Sequence, residues 1–320
     1  MNNNEMKTSV PFLFKKKRNG DKSGNVFFYV MVALPIIQFI IFYIVVNFNS
    51  ILLAFKEYTV TDKGLETVWV KFDNFKDIVH QWKTIPKLQY LIPNAFLYFG
   101  ITVCVIMPLT LLFGYYIYKK LRFYGFYRIM LFLPSIICSM VIIMFYRDFV
   151  EWVVRPLVGK MTDAKIDTLW CMDGAKATAP LVILYVLISF ANSILLYLNA
   201  MSSISESTIE AAKIDGASEL RTFWHVVLPA IWGTIISILV LAFVELGMGQ
   251  ANLYSIYGSQ APEKQQTLGY YVFNLVASKN GEDPMMYPIA SAYGLMITLV
   301  IAPLTITTRH LLLKYGPSED

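Results

Sequence analysis

The chain has 320 residues, of which 56% are hydrophobic and only 15% are charged, and its formal net charge is +5. A soluble domain of this length needs more charge on its surface, and the apolar residues lie in long blocks. This composition excludes an ordinary soluble protein and indicates a membrane protein. The three histidines, His80, His225 and His310, are scattered, so no metal site is predicted, and no GxxxxGK[ST] phosphate-binding loop is present.

Six apolar blocks approach the roughly 20 residues that a helix needs to cross a bilayer. In chain order they are Phe27–Phe55, Ala95–Tyr118, Ile129–Phe145, Ala177–Met201, Gly233–Tyr257 and Ile289–Leu313. Because backbone polar groups cannot stay unpaired in lipid, we expect α-helices. The first block is too long for a cleaved signal peptide and lacks a small-x-small cleavage site. The sequence therefore predicts an all-α integral membrane domain over residues 26–314, preceded by a disordered basic tail, 1–25, and followed by a short tail, 315–320.

Basic residues lie on one side of this six-span topology, in the N-terminal tail, the second connection and the C-terminal end. They are Lys15, Lys16, Lys17, Arg18, Lys22, Lys119, Lys120, Arg122, Arg128, Arg309 and Lys314. The positive-inside rule then places both termini in the cytoplasm. Beside a membrane span such a charge cluster indicates contact with anionic lipid rather than with nucleic acid.

The connections on the opposite side, residues 56–94, 147–176 and 258–288, contain aromatic residues and mixed charges. Within the first, Phe72–Trp82 has apolar residues at helical spacing, which is typical of a helix on the membrane surface and also suits a docking surface for an extracellular partner. Cys171 stands alone in the second, while Cys104 and Cys138 lie in spans, so no disulfide is expected.

The connection between spans four and five, residues 202–231, is strongly patterned. Ser205 or Ser207 can cap a helix that contains Glu210-Ala-Ala. Gly216 can adopt a positive φ and form a sharp turn before a second short helix. Leu228-Pro229 then leads into the fifth span, where proline is tolerated in the first turn. These residues predict a helix–turn–helix, although an ordinary amphipathic loop has the same composition.

The spacing of Glu210-Ala211-Ala212, Gly216, Val226 and Leu228-Pro229 resembles the EAA loop of permease subunits from binding-protein-dependent ABC importers, with valine where the family commonly has isoleucine. Further segments resemble the carbohydrate branch of that family, which takes up oligosaccharides or polysaccharides, and the likeness covers about residues 27–313. These segments are Phe126-Tyr-Arg128, Leu131-Phe-Leu-Pro134, Asp73-Asn-Phe75, Ala33-Leu-Pro-Ile-Ile-Gln38 and Ala54-Phe-Lys-Glu-Tyr58.

The resemblance implies a type I ABC importer transmembrane domain in a bacterial cell membrane. The chain would pair with a second, usually different, permease above two cytoplasmic ATPase subunits, which bind ATP and Mg²⁺, so this chain itself is expected to be neither an enzyme nor a cofactor carrier. An extracellular binding protein would deliver the solute. Within the loop, Glu210 would make charged contacts with the ATPase and Ala211 and Ala212 would allow close approach. Gly216 would form the bend, with support from Asp215.

Polar residues in spans four and five are candidates for the solute pathway, because intramembrane polar groups are costly and tend to face the bundle interior or water. They are Asn192, Glu245, Gln250 and Asn252, with Tyr254 as an aromatic face for a sugar. Interhelical hydrogen bonds and an interfacial anchor explain the same residues equally well. A polyol such as glycerol phosphate is the alternative solute, and an ion-driven secondary transporter with Glu245 as its ion site is the alternative class.

Overall fold

The structure is a computed structural model that describes residues 22–61, 64–162, 175–277 and 285–317. The predictions for the basic tail up to residue 21, for Cys171 and for the last residues, 318–320, lie outside the described residues. The chain divides into two units, Met1–Leu52 and Leu53–Asp320, which are described separately.

The first unit contains one long apolar helix, as predicted. Its segments are α1 (Lys22–Phe39), a π-helical stretch over Ile40–Val45, and α2 (Val46–Leu53). The stretch Phe27–Leu53 has a mean hydropathy of 2.5 over its most apolar window, enough to cross a membrane. Lys22–Asn25, which the sequence assigned to the tail, are already helical.

The second unit is mostly helical. Its α-helices are α3 (Asp73–Thr84), α4 (Leu91–Ile101), α5 (Met107–Tyr118), α6 (Tyr124–Ile136), α7 (Ser139–Phe149), α8 (Arg155–Thr162), α9 (Ala175–Ser202), α10 (Glu206–Ile214), α11 (Glu219–Thr222), α12 (Leu228–Ala230), α13 (Trp232–Met248), α14 (Leu253–Tyr257), α15 (Leu268–Ala277) and α16 (Met286–Tyr315). Shorter turns join some of them: π-helical Thr102–Ile106, Val150–Val154 and Phe223–Val227, and 3₁₀-helical Pro86–Tyr90 and Glu263–Gln265.

A β-hairpin in the first long connection adds to the predicted helices. Strands β1 (Lys56–Thr61) and β2 (Gly64–Trp69) pair antiparallel, with Lys56 opposite Trp69. Valine, threonine and tyrosine are frequent here, which favours strands. The amphipathic helix expected over Phe72–Trp82 is confirmed as α3. Its buried Asn74 donates hydrogen bonds to the carbonyls of Ala54 (2.9 Å) and Lys56 (2.8 Å), so α3 is tied to the start of the hairpin.

The predicted spans are present, but two of them are bent. Phe27–Leu53, Leu88–Tyr118, Thr178–Ser202 and Met286–Tyr315 are continuous, and six spans result when each of two bent pairs counts as one. The third predicted span, Ile129–Phe145, breaks at 137–138, where the backbone is extended, and the axes of Tyr124–Ile136 and Ser139–Met161 differ by 103°.

The fifth predicted span, Gly233–Tyr257, also differs from the structure. Its helix, α13, ends at Met248, because Gly249 is extended and Ala251 and Asn252 have φ values of 48° and 61°. Before α13, the helix over Glu219–Ala230 is inclined to it by 70°.

Packing within the second unit joins the helices that carry the patterned loop and the intramembrane polar residues. α5 packs on α9, and α13 packs on α4 and α16. One buried cluster lies at the loop end of the bundle; its members are Leu111, Tyr197, Met201, Ile209, Phe223, Val227, Ile231, Ile235 and Ile238. Because residues of the loop and of three spans share this cluster, the loop is part of the folded core.

Candidate functional site

The connection between α9 and α13, residues 202–231, is called the coupling loop below. It begins with a capped helix: the hydroxyl of Ser205 accepts a hydrogen bond from the backbone N–H of Thr208 (3.3 Å), and Ser205 has the extended backbone typical of an N-cap. Glu206 follows in the first turn of α10, where a carboxylate is stabilised by the helix dipole. The predicted cap is therefore confirmed at Ser205.

One face of α10 is anchored and the other is exposed. Ile209 is only 7% exposed and belongs to the buried cluster with Phe223 and Val227. Glu210 and Ala211 are exposed, and Ala212 is half-buried. The Glu-Ala-Ala segment consequently forms the outer surface of a helix that the core holds in place.

The turn after α10 has the geometry of a glycine-dependent helix end. Gly216 has a φ of +72°, as predicted. The N–H of Ala217 donates to the carbonyl of Ala212, and the N–H of Gly216 donates to that of Lys213, both at 3.0 Å. These two bonds define a Schellman motif. Asp215 is the C-cap residue and its side chain is exposed, so in this structure it contributes to the turn through its backbone.

The second half of the loop is a helix that runs to the membrane. Ser218 caps α11 by accepting from the N–H of Arg221 (3.4 Å), and the helix continues to Ala230. Leu228 and Pro229 therefore lie in its last turn, before the bend at Ile231, and the fifth span begins only at Trp232. The bend lies at Ile231, where the backbone leaves helical geometry with a φ of −105° and a ψ of 14°.

Apolar side chains on the exposed surface of the coupling loop were not predicted from the sequence. Ile214, next to the Gly216 turn, is 86% exposed. Leu220 and Trp224, on the second limb of the loop (the helix Glu219–Ala230), are also exposed. In the sequence, each of them is an isolated apolar residue in a polar stretch. Such residues indicate an interaction site when the fold leaves several of them exposed.

A second missed feature ties the loop to the end of α5. The ammonium of Lys119 lies 2.9 Å from Glu219 Oε2, and the hydroxyl of Tyr115 donates to the same oxygen (2.8 Å). Glu219 lies before the membrane-spanning helix. The ammonium of Lys119, followed by the hydrogen bond from Tyr115, lowers the pKa of its carboxyl below the ordinary value. In the sequence, Lys119 counted only as one of the orienting charges.

The predicted pathway residues gather, with one exception, where α13 ends. Glu245 is exposed in its last turn, Gln250 and Asn252 are half-buried in the following break, and Tyr254 packs edge-on against Phe273 at 4.8 Å. Asn192 lies on an exposed face of α9, and no side-chain hydrogen bond of the described residues joins it to this group.

Gly249 makes room for this arrangement. A Cβ at Gly249 would lie 2.7 Å from Glu245 Oε2, and Thr267 Oγ1 donates to the Gly249 carbonyl at 2.8 Å. Irregular backbone at membrane depth is tolerated where it is buried in protein or lines a water-filled cavity. The break after α13 is therefore suited to a polar pathway.

Among the residues that the structure describes, no group of three or more His, Cys, Asp or Glu side chains could hold a metal ion. The candidate site consists of the coupling loop, with its exposed Glu-Ala-Ala face, and of the polar helix break after α13. Together with helices long and apolar enough to cross a membrane, these features are those of a multi-pass membrane protein.

Residues 106–314 match the family described as "binding-protein-dependent transport system inner membrane component", and the chain belongs to this family. Because members of this family are the membrane components of transport systems, the prediction of a multi-pass permease subunit, with a transport role rather than a catalytic one, is confirmed.

Curated relatives align with the chain over most of their length. The chain is 25% identical over 300 residues to the polygalacturonan/rhamnogalacturonan transport system permease protein YteP of Bacillus subtilis (strain 168), covering 91% of this chain and 88% of the relative. It is also 25% identical over 253 residues to the sn-glycerol-3-phosphate transport system permease protein UgpA of Agrobacterium fabrum, covering 77% and 82%.

Solved structures confirm the fold. A chain of a bacterial ABC transporter that imports the acidic polysaccharide alginate superposes with a TM-score of 0.73 at 19% identity, covering 92% of this chain and 98% of that one. The alginate transporter in complex with an alginate pentasaccharide-bound periplasmic protein gives 0.69 at 18% identity, covering 92% and 96%.

Proposed function

We propose that this chain is the membrane-spanning subunit of an ATP-driven importer and forms half of the pathway for a sugar or oligosaccharide. The observation that carries the proposal is the coupling loop. Its Glu-Ala-Ala helix is fixed to the core through Ile209, while Glu210, Ala211 and Ile214 are exposed. An anchored helix with an exposed, partly apolar face is suited to insertion into the cleft of a partner protein.

That partner is an ATPase dimer in the cytoplasm, which binds the ATP and Mg²⁺. Its closure on nucleotide moves the two coupling loops as rigid bodies and exchanges inward for outward access. Glu210 makes the charged contact, and the small side chains of Ala211 and Ala212 allow the helix to approach closely. Both termini of the chain lie on the ATPase side, in keeping with the basic residues there.

The other partners are a second, different permease and an extracellular binding protein. The named complex of the alginate transporter with its periplasmic protein supports the latter by analogy. The second permease completes the pathway, so the exposed face of α13 that carries Glu245 faces it or water, because a carboxylate in lipid would be costly.

The carbohydrate assignment draws on the named substrates of YteP and of the alginate transporter. A pyranose has hydroxyl edges and an apolar face. Amide groups of Gln250 and Asn252 can bond the edges, and Tyr254 can stack on the face. Asn192 and Glu245 lie on exposed faces of their helices. Where the second permease covers these faces, both side chains can accept hydrogen bonds from sugar hydroxyls.

A polyol phosphate is the second candidate solute, because UgpA, to which the chain is similar, is named for sn-glycerol-3-phosphate. Phosphate groups form their strongest hydrogen bonds with Arg and Lys, however. From Trp232 to Tyr257, the stretch that holds four of the five candidate contacts, there is no lysine or arginine. This stretch therefore offers hydrogen-bonding groups for sugar hydroxyls but no cation for an acidic group, whether that group is a phosphate or a uronate carboxylate.

The test is gentle purification of the tagged chain from its native membrane, followed by mass spectrometry. Wild type is compared with Glu210→Ala and Gly216→Pro, and with Glu57→Ala on the hairpin as the control. We expect an ATPase and a second permease with the wild type and with the control, and loss of the ATPase from both loop variants. A chain that purifies alone and moves solute into vesicles without ATP would instead support an ion-driven transporter centred on Glu245.

A further inference from the structure

The second limb of the coupling loop is joined to the second span by a polar clamp, defined as Lys119, Tyr115 and Glu219. We infer that this clamp is a positioning device that makes α5 and α13 move together with the loop. The inference rests on the proposed function. It assigns a specific role in coupling to three residues outside the Glu-Ala-Ala, glycine and Leu-Pro pattern.

The burial of Lys119 argues that the ion pair has a specific role. Its side chain is only 8% exposed, whereas that of Glu219 is 60% exposed. A buried ammonium without a counter-charge is strongly unfavourable, so the fold is stable around Lys119 only while a carboxylate stays beside it. Glu219 is the partner in this structure, which means that the position of α11 is set from the end of α5.

Tyr115 gives the clamp a fixed geometry. Its hydroxyl lies 2.8 Å from Glu219 Oε2 and 3.2 Å from the Glu219 carbonyl oxygen, and it can donate to either. Its ring lies 5.0 Å from that of Phe223 and 5.5 Å from the Lys119 ammonium. Polar and aromatic contacts thus hold the same turn of helix, which leaves it little freedom to slide along α5.

The place of Glu219 in the chain explains what the clamp transmits. Glu219 is the first residue of α11, just beyond the Gly216 turn, and the helix that starts there runs to Ala230 before it bends by 70° into α13. A displacement of the loop therefore reaches α13 through the backbone and α5 through the clamp. Without the clamp, the limb would be held to α5 by apolar contacts alone, which are not directional.

The positive-inside rule offers a simpler role for Lys119, as an orienting charge. That role does not require burial or a partner, and Lys120 can fill it as well. Lys120 is exposed and has no ion pair among the described residues. The neighbouring lysines therefore form a matched pair, in which Lys119 is the test position and Lys120 the control.

The first arm of the test uses the isolated chain in lipid nanodiscs, so it does not depend on the proposed function. Hydrogen exchange of the segment 218–224 is measured in wild type, Glu219→Gln, Tyr115→Phe, Lys119→Met and Lys120→Met. We expect faster exchange in the first three variants and wild-type exchange in Lys120→Met. Tyr115→Phe is the mildest of these changes. Wild-type exchange rates in both Glu219→Gln and Tyr115→Phe would overturn the inference that the clamp holds this segment.

The second arm uses the assembled importer in proteoliposomes and measures solute imported per ATP hydrolysed. Glu219→Gln is expected to keep its ATPase subunits but to lower this ratio about fivefold or more, and the exchange of the two charges, Lys119→Glu with Glu219→Lys, to restore part of it. A wild-type ratio in Glu219→Gln would overturn the transmission role. No ATP-driven uptake by the wild type would overturn the proposed function, and the transmission role with it.

Discussion

Two isoleucines on the same short helix of the coupling loop should respond to the same substitution in opposite ways. Ile209 is 7% exposed and lies in the buried cluster, whereas Ile214 is 86% exposed beside the Gly216 turn. Ile209→Ala leaves a cavity in a packed core and is expected to lower the free energy of unfolding by about 2–5 kcal/mol. Ile214→Ala removes almost no packing within the chain, so its effect on stability should stay within about 0.5 kcal/mol.

The order reverses when association with the ATPase is measured. If docking buries Ile214, the alanine variant loses three carbon atoms from the interface, at about 0.8 kcal/mol for each. The association free energy then falls by about 2 kcal/mol, which is roughly a 30-fold weaker complex. Ile209→Ala leaves the exposed side chains of the docking surface in place and acts only through the anchoring of α10, so it should weaken ATPase binding less than Ile214→Ala does.

Both quantities are accessible with purified protein. Thermal unfolding in detergent, followed by tryptophan fluorescence, gives the stability, and titration of immobilised permease with the ATPase gives the affinity. The contrast between the two positions is the critical result. Wild-type affinity in Ile214→Ala would refute the assignment of this face as the docking surface, whatever the stability data show.

Three further substitutions test separate parts of the structure. Gly216→Ala should lower the free energy of unfolding by about 1–2 kcal/mol, because φ is +72° although the space around a Cβ is open. Gly216→Asn should lower it less, since asparagine tolerates a positive φ better. Equal losses of stability in the two variants would contradict this explanation. Gly249→Ala should distort the end of α13, because a Cβ there would clash with the backbone carbonyl of Glu245 as well as with its carboxylate. It should lower solute uptake while the ATPase still co-purifies, and normal uptake would argue against this pathway. Asn74→Ala leaves two carbonyls without their donor and should cost about 1–3 kcal/mol in unfolding, and an unchanged midpoint would show that water replaces the amide.

Features that depend on a few neighbouring residues were predictable from the sequence. The Ser205 cap and the positive φ of Gly216 follow from local chain chemistry, and the structure has both. The spans followed from long apolar blocks, because lipid requires them. The Glu-Ala-Ala pattern then identified the family, to which the match over residues 106–314 assigns the chain.

Features that depend on distant residues or on small backbone changes were not predictable. Tyr115 and Glu219 are 104 residues apart in sequence, so nothing local indicates that they meet. The break at 137–138 was not predicted although Pro134 precedes it, because proline is tolerated within membrane-spanning helices and does not by itself place a break. The hairpin was missed because a helix-rich membrane chain gives little reason to expect one short pair of strands.

ATP-dependent uptake by the purified complex tests the central claim most directly. Proteoliposomes that contain this chain, its co-purified partners and the binding protein would be loaded with ATP and offered labelled neutral oligosaccharides, uronate oligosaccharides and glycerol phosphate. We expect uptake of an oligosaccharide that requires internal ATP and the binding protein, and that is abolished by Glu210→Ala. Uptake that proceeds without ATP and follows an imposed proton or sodium gradient would contradict the account.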